Sequence, residues 1–296
     1  MKKILITGGT GFIGQNLIKK LVKKDYTIHV LSRKKRYIKS AKVFWWNPSN
    51  QFIDEKALEG VTDIIHLAGS NILKRKWNNK NKARLVKSRI KPLEILYKAV
   101  HKEKNHLNSF TSASAIGYYG NVTSKAIFDE TTPIQKEDFI TYLCKKWEEK
   151  ADIFSQITRV NKVRIGIVLG DGGILEKIKQ RMILSPLGNG KQWMPWISID
   201  DLTDIFIHLL ENKTLSGIYN ATSPHPVTNK QFTNALARKL HKPVLPVMPA
   251  FALKMILGKR AELLLKGTRI SSEKIVQTGF RFNDTDLEKT LGKYLE

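Results

Sequence analysis

The chain has 296 residues, 42% of them hydrophobic, one cysteine, and 51 Lys and Arg against 26 Asp and Glu, a formal charge of +25. That length suits about two domains, or one with a substantial lobe, and the apolar content excludes disorder as the main state. A single cysteine excludes an intramolecular disulfide, and no Cys or His spacing matches a zinc scaffold, so no metal is expected and a reducing, cytoplasmic setting fits.

The first strand is predicted over residues 3–7 and the first helix over 12–24, where Ile13, Leu17, Ile18, Leu21 and Val22 share a face. The opening apolar run is cut by Gly8, Gly9, Gly11 and Gly14, so no export signal is expected. Further strands are expected over 27–31, 43–46, 63–67, 109–112 and 162–169, with helices over 79–101 and 138–154. This alternation predicts an α/β fold, a Rossmann-like doubly wound parallel sheet covered on both faces. Beyond residue 170 come Gly- and Pro-rich loops, a helix over 202–211, a strand over 217–221 and helices over 229–240, 250–257 and 261–265. A dinucleotide-binding domain of residues 1–169, with 197–221 returning to it, and a smaller, mainly helical lobe of 170–196 and 222–296 are expected. No apolar stretch approaches the ~20 residues that cross a bilayer, and no membrane partner is expected.

The positive charge is scattered and comes with no zinc-finger, ribonucleoprotein or basic-zipper pattern, so a specific nucleic-acid partner ranks last among the readings. Such a field draws in anionic cofactors and substrates instead.

Gly8-Gly9-Thr10-Gly11-Phe12-Ile13-Gly14 lies between the first strand and the first helix. Gly8 permits a tight turn, Gly11 lets main-chain N–H groups approach a pyrophosphate, and Gly14 lets the helix pack closely on the sheet. The end of the second strand selects the dinucleotide. NAD binding places an Asp or Glu there; this chain reads Leu31-Ser32-Arg33-Lys34-Lys35-Arg36, with a hydroxyl and a guanidinium suited to a 2′-phosphate. NADP is therefore expected, with Lys35 and Arg36 read as solvated charge.

These residues resemble the extended short-chain dehydrogenases/reductases, which include nucleotide-sugar epimerases and dehydratases. Ile65-His66-Leu67-Ala68-Gly69 resembles the fourth-strand motif that lines the cofactor, and Ser112-Ala113-Ser114-Ala115-Ile116-Gly117-Tyr118-Tyr119-Gly120 the serine-bearing strand end. More narrowly, Lys76-Trp77, Ser88-Arg89-Ile90, Cys144 with Trp147-Glu148, and Leu187-Gly188-Asn189-Gly190-Lys191-Gln192-Trp193-Met194-Pro195-Trp196 are similar to the atypical "epimerase family protein" group. So are Pro249-Ala250-Phe251-Ala252-Leu253 and Gly279-Phe280-Arg281-Phe282, in its small C-terminal domain of unknown function.

The resemblance implies a catalytic tyrosine with a lysine four residues later. Tyr142 and Lys146 have that spacing, but Phe139, Ile140, Leu143, Cys144, Trp147 and Ala151 form the apolar stripe of their helix. Alignment on Glu148 puts Cys144 at the lysine position and Ile140 at the tyrosine position. Residues 140 and 142 point about 200° apart, so only one register faces the cofactor; the Cys144 register is favoured, with Tyr142 and Lys146 as its rival. Arg89 stands where extended members carry asparagine, and can hold a pyrophosphate, a carboxamide or an anionic substrate. The resemblance further gives Ser114 the polarising of a carbonyl, and Tyr118 or Tyr119 the place of the lost proton donor. Cys144 reads as a buried thiol more readily than as a nucleophile. Trp193 and Trp196 are candidates for closing over a ligand or for the core.

The expected activity is that of an NADP(H)-dependent oxidoreductase or epimerase-like enzyme acting on a small polar, sugar-like molecule. The alternative is a catalytically silent NADP(H)-binding regulator.

Overall fold

The computed structural model describes residues 2–103 and 106–295. Short runs of aliphatic and β-branched residues form β1 (Lys3–Thr7), β2 (Thr27–Ser32), β3 (Lys42–Asn47), β4 (Phe52–Ile53), β5 (Val61–His66), β6 (Ser109–Ala115) and β7 (Ile127–Phe128). Between and after them lie the amphipathic helices α1 (Phe12–Val22), α2 (Asn79–Lys102) and α3 (Phe139–Ala151). The second half holds β8 (Arg159–Ile165), β9 (Ile167–Leu169), α4 (Ile174–Lys179), β10 (Trp193–Met194), β11 (Trp196–Ser198), α5 (Ile199–Glu211) and β12 (Gly217–Ala221). It ends with β13 (Val227–Thr228), α6 (Asn229–Leu240), α7 (Ala250–Leu257), α8 (Glu262–Leu265), β14 (Arg269–Ile270), α9 (Glu273–Gln277) and α10 (Leu287–Leu295).

Eight strands make one sheet in the order β12-β8-β6-β5-β1-β2-β3-β4. All its pairings are parallel except the β3–β4 hairpin. The chain builds outward from β1 through β2 to β4, then restarts on the other side of β1 with β5. That reversal opens a crevice at the carboxyl ends of β1 and β5, where open α/β sheets bind ligands. α2 packs on α3 and α1 on α5, covering the two faces. Ile4, Leu5, Ile6, Val30, Ile64, Ile65, Phe110 and Val163 are fully buried between them. A second cluster of Leu169, Leu175, Trp196, Phe232, Leu236 and Leu291 joins α6 and α10 to the β9–β11 pair.

The strand predicted over 162–169 is divided. β8 stays in the large sheet, whereas β9 turns away to pair with β11. Gly166 makes the turn possible, because it lies so close to Pro195 that a Cβ would sit 2.4 Å from that carbonyl oxygen. The tail also carries elements that the sequence reading lacked: β14 pairing with β7, and α10, which buries Leu287, Leu291 and Leu295 along one face. Among the described residues no helix is long and apolar enough to cross a membrane.

Candidate functional site

The turn after β1 is shaped by main-chain contacts. Gly8 has φ +74°, and its carbonyl accepts from the Gly11 N–H at 2.9 Å. A Cβ on Gly8 would meet the Leu67 carbonyl at 2.8 Å, and one on Gly14 would meet the Gly8 oxygen at 2.5 Å. Leu67 in turn donates its N–H to the Thr7 carbonyl, so the β1 turn and the end of β5 form one wall. α1 begins at Gly11 with no side-chain cap and no acidic residue in its first turn. Its leading N–H groups and positive dipole end thus face the crevice mouth, as an anion requires. Thr10 and Ile13 are half-buried, and the ring of Phe12 packs against the turn at residues 170–173.

At the end of β2, Arg33 is exposed, and among the described residues nothing pairs with it. Ser32 differs from its expected role. Its hydroxyl donates to the Lys34 carbonyl at 2.8 Å and accepts from the Lys34 N–H at 3.3 Å, so its proton is committed to a local turn.

At the end of β5, Leu67 and Ala68 are half-buried and Gly69 is exposed. His66 is register partner to Thr7, and its Nδ1 lies 2.8 Å from the Thr7 hydroxyl; Nε2 is buried without a partner. Burial, then the charge of Arg89, lowers its pKa to about 3, so the ring is neutral. Arg89, on α2, lies against the Trp147 ring at 4.8 Å and donates to the carbonyls of Leu85 and Ser70.

The carboxyl end of β6 meets α3 and β8 in a buried network. Ser114 and Arg164 are register partners on β6 and β8, and Glu148 reaches down from α3 between them. Glu148 accepts from the Ser114 hydroxyl at 2.6 Å and from the Arg164 Nε and Nη2 at 2.9 Å each. The Arg164 guanidinium carbon sits 3.4 Å from the Tyr118 ring centre and 4.9 Å from that of Tyr119, whose hydroxyl donates to Asn220 at 2.8 Å. Burial pushes the Tyr119 pKa up to about 12. The half-buried Tyr118 makes no hydroxyl bond among the described residues.

This arrangement corrects the role expected of Ser114, while Cys144 and the Tyr142–Lys146 pair lie as the favoured register places them. Ser114 spends its proton on Glu148 and is buried, so it holds the network together and has no free hydroxyl proton to polarise a carbonyl. Cys144 is buried, and its pKa is pushed up to about 12 by burial first and Glu148 next, which leaves a thiol unfit as a nucleophile. Tyr142 is 50% exposed and Lys146 pairs with Glu149 at 2.8 Å, so the rival pair points to solvent. Ile140 and Cys144 instead face the turn after β6: a Cβ on Gly117 would lie 2.4 Å from Ile140 and 3.6 Å from the Cys144 sulfur.

The loop between α4 and β10 supplies less than its aromatics suggest. Trp196 is fully buried in the second core. Gln192 is buried too and ties its loop to α8 by donating to the Leu187 and Leu264 carbonyls. Trp193 is half-buried beneath Arg269, 5.1 Å from ring to guanidinium. The sequence reading missed Arg164 and Asn220. The available signal was an arginine between Val163 and Ile165 in a strand expected to be buried on both faces, which demands a buried partner. Among the described residues no group of three or more His, Cys, Asp or Glu side chains is placed to hold a metal. A cavity of about 530 Å³, lined in part by Gln231, Asn234, Arg238 and Asp286, includes none of the crevice residues named above.

The NAD dependent epimerase/dehydratase family model matches residues 4–150, and a domain of unknown function (DUF1731) matches residues 248–293. The epimerase family protein YfhF of Bacillus subtilis (strain 168) is 33% identical over 302 residues, 99% of this chain and 97% of its own. An epimerase family protein of Staphylococcus aureus (strain NCTC 8325 / PS 47) is 33% identical over 299 residues, 98% of each chain. The crystal structure of human epimerase family protein SDR39U1 (isoform 2) with NADPH is similar at a TM-score of 0.88 and 28% identity, covering 99% of both chains.

Proposed function

The chain belongs to the NAD dependent epimerase/dehydratase family as one of its epimerase family proteins, and on that premise we propose that it is an NADP(H)-dependent oxidoreductase or epimerase-like enzyme acting on a small polar, sugar-like substrate. The single observation that carries the reading is the end of β2, where Arg33 is free and no carboxylate stands in the run from Ser32 to Arg36. The NADPH held by the human structural relative supports it. The crevice suits the cofactor, since side chains on Gly8 or Gly14 would fill the turn and the first helical amides lack a side-chain cap.

The amides of Thr10, Phe12 and Ile13 would hold the pyrophosphate, with Gly8, Gly11 and Gly14 keeping the turn open. Arg33 would clamp the 2′-phosphate, with Ser32 shaping the turn beneath it, while Leu67, Ala68 and Gly69 would line the crevice. Bound there, the nicotinamide supplies or accepts hydride. Tyr118 would pass the accompanying proton, because its hydroxyl is free and its ring is fixed by Arg164. Ser114, Glu148 and Arg164 would position Tyr118. Residues 1–169 with 197–221 would carry the cofactor, and residues 170–196 with 222–296 would cover the substrate.

A panel of nucleotide sugars, aldehydes and ketones incubated with protein and NADPH, followed by nicotinamide absorbance, tests this. Turnover by wild type that falls at least a hundredfold in Tyr118→Phe would support the assignment; turnover unchanged in that variant would remove Tyr118. A second reading, a catalytically silent NADP(H)-binding regulator, is favoured by Ile140 and a protonated Cys144 on the inner face of α3. NADPH binding with no turnover across the panel is its expected result.

A further inference from the structure

Arg89 is a buried cation without a counter-ion. It is 9% exposed, and its donors reach only neutral acceptors: Nη1 to the Leu85 carbonyl and Ser88 hydroxyl, Nη2 to the Ser70 carbonyl, each at 3.3 Å. Its Nε is buried with no partner, and among the described residues no carboxylate pairs with it. Among the described residues, the nearby groups that could balance it are neutral or already engaged. Glu148 gives both oxygens to Arg164 and one also to Ser114. The Cys144 thiol stays protonated, its pKa pushed up to about 12 by burial ahead of Glu148. His66, lowered to about 3 by burial and by Arg89 itself, carries no charge.

A buried charge costs several kcal/mol unless it is paired. The guanidinium nonetheless sits where a ligand can reach it. Gly69, exposed at the crevice, is so near that a Cβ there would lie 3.4 Å from the guanidinium carbon and from Nη2. The guanidinium carbon also lies 4.8 Å from the centre of the Trp147 ring.

We propose that Arg89 is the receptor for an oxyanion, a carboxylate or phosphoryl group, that enters the crevice past Gly69 and completes the charge balance of the α2–α3 wall. This deepens the functional reading by giving the site an anionic ligand and rests on the crevice being the ligand site. A substrate carboxylate or phosphate and the cofactor's own pyrophosphate share this chemistry.

The test uses the full chain, as wild type, Arg89→Met and Arg89→Gln. Calorimetry gives the NADPH Kd of each; thermal shifts are read with acetate, inorganic phosphate and the neutral control acetamide, at matched ionic strength, with and without saturating NADPH. The expected result is a rise in Tm of the NADPH-loaded wild type with acetate or phosphate but not acetamide. That rise is lost in Arg89→Met while the NADPH Kd stays within threefold, which identifies the substrate as the source. A tenfold or greater loss of NADPH affinity in Arg89→Met, with acetate and phosphate acting only on NADPH-free protein, identifies the cofactor. Wild type and Arg89→Met alike in both measurements overturns the proposal. If Arg89→Met does not fold, Arg89→Gln removes the charge while keeping a polar end, and an anion response and NADPH Kd both undiminished in it overturn the proposal. Wild type that ignores NADPH but responds to acetate or phosphate through Arg89 would refute the cofactor reading alone.

Discussion

The two ends of the crevice hold their shape by different means. At the β1 turn the work is done by main chain and by missing side chains, within seven consecutive residues from Gly8 to Gly14. At the β6 end it is done by a buried network, the ion pair of Glu148 on α3 with Arg164 on β8 and the Ser114 hydroxyl from β6. The first arrangement is local and written in residue identity. The second exists only after three distant segments have met, so it is strong in the folded chain and faint in the sequence.

Breaking the ion pair should have the largest effect. Glu148→Ala leaves Arg164 buried and unpaired and is expected to cost about 3–5 kcal/mol, read as a drop in the urea midpoint. A loss below ~1 kcal/mol would show that Arg164 finds water or another partner. The glycine end should respond less in stability and more in binding. Gly14→Ala, with its Cβ 2.5 Å from the Gly8 oxygen, is expected to cost about 1–3 kcal/mol by overpacking and to weaken NADPH at least tenfold; unchanged NADPH affinity would show that the turn relaxes freely.

His66 lies between the two ends and gives a pH signature. Burial, then Arg89, holds its folded pKa at about 3 against an ordinary 6.5. Between those values the unfolded chain binds the extra proton, so stability is complete above pH 6.5 and is lost as pH falls through the window. At pH 5 the loss from this group is roughly 2 kcal/mol. Urea unfolding of wild type and His66→Gln at pH 7 and pH 5 should show the variant losing less; equal losses would mean that His66 does not carry the dependence. The smallest effect is expected at Tyr142→Phe, on the solvent side of α3, which should leave turnover and NADPH affinity within about twofold. Abolished turnover would return the catalytic role to Tyr142 and Lys146.

Local signals made much of this legible. The alternation of strands and helices, the glycine turn, and the basic run after β2 can all be read within short windows. So can the stripe of Phe139, Ile140, Leu143, Cys144, Trp147 and Ala151, all buried in the structure except the half-buried Phe139. What escaped depends on distant partners. The break at Gly166 is set by Pro195, and β7 is defined by pairing with β14 some 140 residues later. In the sequence Glu148 offers only an alignment anchor, because its partner Arg164 lies on a different element and Ser114 on a third. Ser32 and Ser114 show the same limit at atomic scale: each has the right residue type in the right place, with its proton already used by a neighbour.

The central claim is that the crevice takes NADP(H), with Arg33 reading the 2′-phosphate. Calorimetric titration of wild type and Arg33→Ser with NADPH and with NADH tests it most directly. The account predicts that NADPH binds wild type at least tenfold more tightly, a difference of about 1.4 kcal/mol, and that Arg33→Ser removes most of that preference while sparing NADH. Heat from neither coenzyme, or tighter binding of NADH by wild type, would contradict it.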